Sequence, residues 1–396
     1  MKILAVFDAY PYPISHGQNL RVFHYAKHLS RRHEVDLVHM GDAFPDSVLG
    51  GLFRRTVAIT DWGYESPDTR WRRLRDAFAI ERIAPSSAQL AECVRELHRE
   101  DPFDVLWVGA STLVPSLPDD LNVPMLVDEC DHEGVVFRRW LALERSPTAW
   151  LRLYKRYQMR LAFERRVFRR AQAALFVSAL DAESFSRNCP QVPAHVIANG
   201  VDVEFFSPVP SEPVKGELVF EGNMSFPPNV DAAGYFVREI LPLIQAQVPE
   251  VHFTIIGKDP VPEVQALAAS NVTVTGFVED VRPHLGRGQV FVCPMRRGAG
   301  IKNKILQAWA MGIPVVSTPE GVGGLAASDG GNVLLGGSPQ AFAEAVVALL
   351  ADDPRRAALG AAGRQTVLNE YTWEQRGSEL EDLLASLVRT STREHA

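Results

Sequence analysis

The sequence is poor in cysteine, and the few cysteines that it has are scattered. Four occur in 396 residues, and no two of them form a C-x-x-C pair. This spacing excludes a zinc site built on cysteine pairs and a disulfide framework of the kind that holds small secreted domains together. It is typical of a chain in a reducing cytoplasm. The four positions are Cys93, Cys130, Cys189 and Cys293.

Long apolar runs are missing as well. A membrane-spanning helix needs about 20 consecutive apolar residues, and no segment of this sequence approaches that length. The apolar start of the chain is interrupted by Asp8, Pro11 and Pro13, which favours a buried first strand over a signal peptide. We therefore expect a cytoplasmic protein that is soluble or bound peripherally at the inner face of the membrane.

The chain also lacks an excess of positive charge. It carries 41 Lys and Arg against 48 Asp and Glu, which gives a net charge of −7. General nucleic-acid binding depends on a basic surface, so this balance argues against nucleic acid as a partner. A hydrophobic content of 46% with 22% charged residues is that of an ordinary globular protein.

What the sequence does contain is a regular alternation of short Val-, Ile- and Leu-rich runs with helical patterns. This alternation predicts an α/β protein whose parallel sheets are covered by helices on both faces. Predicted helices are Leu20–Arg31, Ser87–Arg99 and Val230–Ile244, the last with Asn229 or Asp231 as its N-cap. The predicted strands are Ile3–Asp8, Glu34–Met40, Thr56–Ile59, Val105–Val108, Met125–Val127, Ala174–Val177, His195–Ile197, Leu218–Glu221, Val251–Gly257, Val272–Val278, Val290–Cys293, Val315–Ser317 and Val333–Leu335.

The length of the chain predicts two domains, because 396 residues exceed what one hydrophobic core usually supports. A proline-rich polar stretch near 207–213 is suited to a linker. We predict Rossmann-like domains at 1–205 and 206–375, and a C-terminal helix and tail at 376–396 that packs back toward the first domain. Two doubly wound domains facing one another would leave a ligand-binding crevice at the carboxyl ends of their strands.

The most informative stretch is 290–317, where an apolar strand runs into a basic, glycine-rich turn that opens a helix. Glycines let backbone N–H groups approach a ligand, and a helix N-terminus adds unpaired donors and a positive dipole end. Four cationic side chains on that scaffold predict a pyrophosphate site. The predicted diphosphate-binding residues of this stretch are Arg296, Arg297, Gly298, Gly300, Lys302 and Lys304.

A strong local charge anomaly lies at 137–170. This segment holds eleven Lys and Arg and two Glu, with aromatic and apolar residues between them. A basic amphipathic helix of this composition suits the headgroup region of an anionic membrane. The alternative interpretation is a solvated helical face whose apolar side packs on the first domain, and the sequence leaves both open.

Several different short motifs follow one another along the chain in a specific order. They are Pro11-Tyr12-Pro13, Gly17–Arg21, Ile197–Asp202, Gly222-Asn223-Met224, Pro228–Ala232, Gly276-Phe277-Val278, Leu306–Val316 and Tyr371-Thr372-Trp373. In this order and spacing they resemble the retaining nucleotide-sugar glycosyltransferases of family 4. The resemblance covers nearly the whole chain.

The resemblance implies the GT-B fold, in which two doubly wound Rossmann-like domains face a central cleft. It implies transfer of a sugar, with retention of configuration, from a nucleotide diphosphate sugar to an acceptor hydroxyl in polysaccharide, glycolipid or glycoconjugate synthesis. The second domain would bind the donor and the first the acceptor, and the acceptors implied are a sugar, a lipid-linked sugar or a small molecule. No metal or other cofactor is implied, because basic side chains and a helix N-terminus offset the charge of the leaving diphosphate.

The resemblance extends the set of candidate site residues. Gly17 and Arg21, which follow the first strand, join the diphosphate-binding set. Gly222 joins it as well, since it ends the first strand of the second domain and glycine there allows close backbone approach. The candidates for nucleoside binding are Phe277, Val278, Gln307 and Glu320.

Two catalytic candidates follow an apolar strand of the first domain. Asp131 would orient the acceptor hydroxyl or take its proton, and His132 would contact the donor sugar or the acceptor. Relatives often carry a histidine here, and either Cys130 or His132 occupies its position. The alternative for His132 is a helix cap or a surface histidine.

The chain departs from the family at two positions of the donor helix. Ala299 and Gln307 stand where the family usually carries two glutamates eight positions apart. Gln307 can still hydrogen-bond a ribose hydroxyl, but it is a weaker acceptor than a carboxylate. Two other hypotheses therefore stay open: a nucleotide-sugar epimerase of GT-B fold, and a non-catalytic nucleotide-sugar-binding component of a polysaccharide assembly complex.

Overall fold

The structure, a computed structural model, describes residues 1–13, 17–44, 49, 51–61, 86–208, 213–297 and 300–394. The chain divides into two compact units. Unit 1 comprises Met1–Ala198 and Arg376–Ala396, and unit 2 comprises Asn199–Gln375. The division thus falls slightly before the predicted boundary after residue 205, and the C-terminal segment belongs to unit 1. Part of the predicted linker, residues 209–212, lies outside the described residues.

Unit 1 is built on a seven-stranded parallel sheet with the order β3-β2-β1-β4-β5-β6-β7. Its central strands are buried along nearly their whole length, as expected for strands covered on both faces. The strand order reverses between β1 and β4. The strands are β1 (Lys2–Phe7), β2 (Glu34–Met40), β3 (Arg55–Ile59), β4 (Val105–Val108), β5 (Met125–Cys130), β6 (Ala173–Phe176) and β7 (Ala194–Val196).

Helices of unit 1 begin at residues suited to helix starts. Ser87 and Ser178 each accept a hydrogen bond from a backbone N–H of the first turn that they cap, which satisfies a donor with no partner inside the helix. The helices are α1 (Gly17–Leu29), α2 (Ala88–Glu100), α3 (Glu133–Leu143), α4 (Pro147–Val167) and α5 (Ala179–Asn188).

The basic segment at 137–170 forms two helices and not the single amphipathic helix that we predicted. It covers the end of α3, all of α4 and a 3-10 turn at Phe168–Arg170. The break has a local cause, because Ser146 caps α4 and Pro147 occupies its first position. Proline fits the first turn of a helix but cannot continue a preceding one.

Unit 2 is built on a six-stranded parallel sheet with the order β10-β9-β8-β11-β12-β13. All thirteen predicted strands are present, most with bounds shifted by one or two residues. Two differ more: β5 extends to Cys130, and β10 already ends at Val274. The strands of unit 2 are β8 (Glu217–Glu221), β9 (His252–Ile256), β10 (Val272–Val274), β11 (Val290–Cys293), β12 (Val315–Ser317) and β13 (Leu334–Leu335).

The helix predicted at 230–244 begins earlier than expected. It starts with Pro227 and Pro228 in its first turn, Phe226 is its N-cap, and neither Asn229 nor Asp231 caps it. Proline is favoured in a first turn because its missing N–H would have no intrahelical partner there. The later helices are α6 (Pro227–Tyr235), which continues through a π-helical turn at Phe236–Ile240, α7 (Leu241–Gln245), α8 (Pro262–Gln265), α9 (Arg282–Gly286), α10 (Asn303–Ala310), α11 (Pro339–Ala351), α12 (Asp353–Glu370) and α13 (Trp373–Glu394).

None of the helices formed by the described residues is long and apolar enough to span a bilayer.

Candidate functional site

The sheet of unit 2 has the strand order of a dinucleotide-binding fold. Renumbered from β8, its order is 3-2-1-4-5-6, and the direction of winding reverses between β8 and β11. In open parallel sheets the crevice at such a switch point, outside the carboxyl ends of the strands, binds ligands. The strands that meet at this point end at Glu221 and Cys293.

Lys304 reaches this switch point from the first turn of α10. Its Nζ donates to the carbonyl oxygen of Glu221 at 2.6 Å and to Oδ1 of Asn229 at 2.9 Å, and it lies 4.2 Å from the centre of the Phe220 ring. Burial lowers the pKa of Lys304, while the Glu221 carboxylate acts to raise it. An ammonium donates three hydrogen bonds, and the described residues take two, which leaves one N–H for an anion.

Glycines make room for this ammonium. A Cβ on Gly222 would lie 2.8 Å from Nζ of Lys304 and 2.7 Å from Nδ2 of Asn229. A Cβ on Gly257, at the end of β9, would lie 1.7 Å from the carbonyl oxygen of Gly222, and Gly257 has a φ of +145°. The ends of β8 and β9 can therefore approach one another only because both residues are glycine.

Arg296 is held against helix α6. Its Nη2 and Nε lie 2.9 and 3.3 Å from the two carboxylate oxygens of Asp231, and its guanidinium lies 4.0 Å from the centre of the Tyr235 ring. The Arg297 side chain is more exposed than that of Arg296, and its Nε lies 3.8 Å from Oδ1 of Asp231. Phosphate binding by these two arginines stays a prediction, and it would compete with Asp231 for their donors.

The turn before α10 is described only in part, because Gly298 and Ala299 lie outside the described residues. Gly300 has a φ of +65°, a left-handed conformation that favours glycine. Lys302 is the N-cap residue of α10, and its Nζ donates to the carbonyl oxygen of Gly300 at 2.9 Å. Both predicted lysines are thus buried at the start of the predicted helix, and Lys304 lies at the end of β8.

The four nucleoside-binding candidates are spread over the carboxyl edge of this sheet. Phe277 and Val278 follow the edge strand β10, and Phe277 is 74% exposed. Glu320 is exposed in the turn after β12. Gln307 lies on α10, and within the described part of the chain its buried Oε1 has no hydrogen-bond partner. Their roles stay predictions.

Unit 1 has a corresponding switch point between β1 and β4. Nε2 of Gln18, in the first turn of α1, lies 3.2 Å from Oδ1 of Asp8, which follows β1. It lies 3.3 Å from the carbonyl oxygen of Gly109, which follows β4. Gly17 is the first residue of the same helix. Burial raises the pKa of Asp8, so this edge carries a partly shielded carboxyl group.

Arg21 does not present its charge at this edge. It is buried, and its Nε lies 3.0 and 3.2 Å from the two carboxylate oxygens of Asp128 on β5. Its Nη1 donates to the carbonyl oxygen of Ile197 at 2.9 Å. A buried guanidinium needs such partners to offset the cost of leaving water, and diphosphate binding by Arg21 stays a prediction.

His132 is likewise turned into the interior of unit 1. It is the N-cap residue of α3 and is buried, with Nδ1 2.7 Å from Oγ of Ser184 and Nε2 3.1 Å from Oε2 of Glu164. Both ring nitrogens thus have protein partners. The catalytic role of His132 stays a prediction, and its N-cap position fits the alternative of a helix-cap histidine.

The acidic residues around the end of β5 differ in their surroundings. Asp131 is exposed, and its catalytic role stays a prediction. Glu129 accepts a hydrogen bond from the backbone N–H of Ser111 at 2.9 Å and lies 3.4 Å from Nη2 of Arg160. Burial raises the pKa of the Glu129 carboxyl. Between them Cys130 has a φ of +59°, where the pairing register of β5 with β6 shifts.

Among the described residues, no group of three or more His, Cys, Asp or Glu side chains could hold a metal ion.

Sequence reasoning missed three residues that shape the switch point of unit 2. We expected Asn229 or Asp231 to cap a helix, whereas Asn229 holds Lys304 and Asp231 holds Arg296. The apolar pattern identifies Glu221 only as the last residue of a strand. Its position at the carboxyl end of a central strand could have predicted that it lies at the ligand-binding edge of the sheet.

The chain resembles known proteins in part of its sequence and in its fold. Residues 215–352 match the family model described as "Glycosyl transferases group 1". A mannosyltransferase from Mycolicibacterium smegmatis, described as GDP-mannose-dependent alpha-(1-6)-phosphatidylinositol monomannoside mannosyltransferase, is 30% identical over 246 residues. That alignment covers 56% of this chain and 64% of the relative, so it spans less than two thirds of the relative's length.

Solved structures resemble the chain over nearly its full length. Sucrose-phosphate synthase from Thermosynechococcus elongatus has a TM-score of 0.70 at 19% identity and covers 98% of this chain and 100% of its own. HepE from Anabaena, solved in complex with UDP and glucose, has a TM-score of 0.66 at 16% identity with the same coverage. At these identities the likeness shows the fold, which is the GT-B fold that the sequence predicted.

Proposed function

We propose that this protein transfers a sugar from a nucleotide diphosphate sugar to an acceptor hydroxyl, because residues 215–352 match the group 1 glycosyl transferase model in a chain of GT-B fold. The product would be a polysaccharide, a glycolipid or a related glycoconjugate. Unit 2 binds the donor and unit 1 the acceptor, as the family resemblance implies. The proposal includes retention of the anomeric configuration.

A single observation carries the proposal at the level of the site. The Lys304 ammonium is held at the carboxyl end of β8, at the switch point of a sheet with the dinucleotide-binding order. A buried cation that keeps one N–H unused by the described residues is suited to an anion, because a charge-assisted hydrogen bond to a phosphate is strong in a shielded site. The N-terminus of α10 adds backbone donors.

The proposed reaction requires no charged groups of unit 2 other than those at this site. The bond between the anomeric carbon and the diphosphate oxygen breaks, and a bond from that carbon to the acceptor oxygen forms. Lys304, Lys302 and the helix N-terminus offset the charge that develops on the leaving diphosphate. The hydroxyl proton passes to the departing diphosphate on the same face of the sugar, so no strong protein base is required.

Thermal denaturation with a panel of UDP, GDP, ADP and TDP compounds tests donor binding. We expect one nucleoside diphosphate and its sugars to raise the melting temperature, because a ligand that binds only the folded state stabilises it by mass action. Lys302→Ala is expected to reduce this shift for every diphosphate while the ligand-free protein stays nearly as stable. No shift with any compound at millimolar concentration would contradict the proposed function.

Product analysis then separates the transferase from its two rivals. A transferase releases the nucleoside diphosphate only as an acceptor becomes glycosylated, whereas an epimerase converts the donor alone. Donor binding without turnover across a broad acceptor panel would favour a non-catalytic component. The relative from Mycolicibacterium smegmatis is named for a phosphatidylinositol monomannoside acceptor, so glycolipids belong in that panel.

We further propose that unit 1 binds an anionic membrane surface through the end of α3 and the first half of α4. Aromatic and apolar side chains are exposed here, with Leu151 at 63% and Trp140 at 52%. Trp150 and Tyr154 stack with their ring centres 5.1 Å apart on the same helical face. The exposed basic residues among them are Arg139, Arg145, Arg152 and Arg156.

The second half of α4 is the part of this helix that packs on unit 1, so the first half stays outside. Phe163 and Val167 are buried against the core of unit 1, and Arg160 and Glu164 are buried beside them. An exposed segment that carries both cations and aromatic rings matches anionic lipid headgroups, since cations are attracted to the surface while aromatic rings enter the interface.

Sedimentation with lipid vesicles tests this contact. We expect the protein to bind phosphatidylglycerol vesicles and not pure phosphatidylcholine vesicles, and to be released by salt. Replacing Arg152 and Arg156 by Gln should weaken binding roughly thirtyfold, at about 1 kcal/mol for each cation near the surface. Arg187→Gln, which removes an exposed cation on α5, serves as the control. Equal binding of both double variant and control would refute the assignment.

A further inference from the structure

Glu221 is a carboxylate without a hydrogen-bonding protein partner at the switch point of unit 2. It is the last residue of β8, and it is the residue of that strand that is not fully buried. Within the described part of the chain its side chain makes no hydrogen bond; the interaction found for it is electrostatic, with Lys304. Shielded polar groups in proteins are normally hydrogen-bonded, so this carboxylate calls for an explanation.

Lys304 does not supply the missing hydrogen bond. Its Nζ donates to the backbone carbonyl of Glu221 and to the side chain of Asn229, and both of these acceptors are neutral. Burial raises the pKa of the Glu221 carboxyl, and the nearby ammonium acts in the opposite direction. The side chain thus lies in the field of a cation while its oxygen lone pairs are left for another donor.

The chemistry of that donor follows from what surrounds it. A phosphate would be repelled by a carboxylate, so the group that meets Glu221 must be a neutral donor. In a nucleotide diphosphate sugar, the diphosphate is flanked by two rings, the ribose and the transferred sugar, and both carry hydroxyls. A carboxylate accepts two hydrogen bonds side by side from neighbouring hydroxyls.

We propose that the Glu221 carboxylate binds vicinal ring hydroxyls of the nucleotide sugar and thereby determines which donor is accepted. This inference rests on the proposed function. It also accounts for a departure in the sequence, since the chain has the neutral residues Ala299 and Gln307 where the family that it resembles carries glutamates. Glu221 supplies a carboxylate from the neighbouring strand end.

Calorimetric titration of the full chain with UDP, UDP-glucose, GDP and GDP-mannose tests the proposal. The variants are compared with the unaltered protein on the nucleoside diphosphate, and its sugar, that the unaltered protein binds more tightly. The Glu221→Gln and Glu221→Ala variants should bind that nucleotide sugar about tenfold to a hundredfold more weakly, as expected for a lost hydrogen bond to a charged group. A loss confined to the nucleotide sugar assigns the hydroxyls to the transferred sugar. An equal loss for the nucleoside diphosphate assigns them to the ribose.

Other outcomes overturn the proposal. Unchanged affinity in both variants would show that Glu221 contacts no ligand hydroxyl, and tighter binding would show that it only repels the diphosphate. Glu250→Gln is the matched control, because Glu250 precedes β9 at the opposite edge of the sheet and should leave affinity unchanged. If the unaltered protein binds none of the four compounds, the titration is repeated with the ADP and TDP compounds, and no binding to any of them would overturn the proposed function together with this inference.

A stability measurement guards against a folding defect. Because burial raises the pKa of the Glu221 carboxyl above the ordinary value for glutamate, its ionisation lowers stability as pH rises from the unfolded-state pKa to the folded-state pKa, and the loss remains at higher pH. Glu221→Gln removes that cost. Its melting temperature should equal or exceed that of the unaltered protein at pH 8, and the difference should disappear toward pH 4. A large decrease at pH 8 would assign Glu221 a structural role.

Discussion

Lys304→Met should bind nucleoside diphosphates about a hundredfold more weakly than the unaltered protein. The change removes the ammonium at the end of β8 and keeps an unbranched apolar side chain over Phe220. A hydrogen bond to a charged group contributes about 1.5–3 kcal/mol, and each 1.4 kcal/mol is about a factor of ten in affinity. Calorimetric titration with the stabilising diphosphate, well below the melting temperature, measures the effect.

The same substitution is also expected to lower stability. The carbonyl of Glu221 and the side chain of Asn229 lose their donor, and each unsatisfied buried acceptor costs about 1–3 kcal/mol. Removing a cation whose pKa is lowered by burial offsets part of this cost.

Lys215→Met provides the matched control for Lys304→Met. Lys215 precedes β8 at the amino edge of the same sheet, and its side chain is 85% exposed beside Glu250. It should change neither affinity nor melting temperature measurably, because an exposed ion pair contributes little. If Lys304→Met retains full diphosphate affinity, Lys304 serves only to hold the end of β8, and the proposed site loses its central cation.

Gly257→Ala should lower the melting temperature by at least about 10 °C or prevent unit 2 from folding. The new Cβ would lie 1.7 Å from the carbonyl oxygen of Gly222, which is backbone and cannot move aside as a flexible side chain does. The φ of +145° adds strain for any residue with a Cβ. We expect a loss of about 4 kcal/mol or more, at roughly 2–4 °C for each kcal/mol in a unit of this size.

Gly330→Ala separates the steric clash from backbone strain. Gly330 also lies in unit 2 with a positive φ, of +74°, but nothing lies within 4 Å of the position of its Cβ. It should cost about 1 kcal/mol, the penalty for a left-handed residue with a side chain. Thermal unfolding followed by circular dichroism compares the two variants. Equal losses would mean that the close approach of β8 and β9 is not what requires Gly257.

Much of the fold could be predicted from the sequence, because each strand is a short run of apolar residues whose burial is decided locally. The limits of the strands show where local patterns fail. The prediction extended β10 to Val278, but the strand pairs with β9 only as far as Val274, since pairing also depends on the partner's length. Likewise, Pro147 divides the basic segment that looked like one helix.

The position of the site could also be predicted, but the partners of its charged residues could not. A glycine-rich turn between an apolar strand and a helix marks the carboxyl edge of a parallel sheet whatever the rest of the chain does. The sequence could not tell that Arg21 and His132 face inward, because their partners come from other elements. Asp128 lies 107 positions from Arg21, and Glu164 lies 32 positions from His132.

By itself, then, the sequence determined two parallel α/β sheets and the edge at which unit 2 gathers its cations, because hydrophobic pattern and turn chemistry are local properties. Only the tertiary structure showed that Lys304 lies at the end of β8 and uses two of its three N–H groups on the described residues. Lys304 and Glu221 are 83 positions apart, and they meet because the strand order places β8 beside β11. The energy of a charge depends on the neighbours that the fold brings to it.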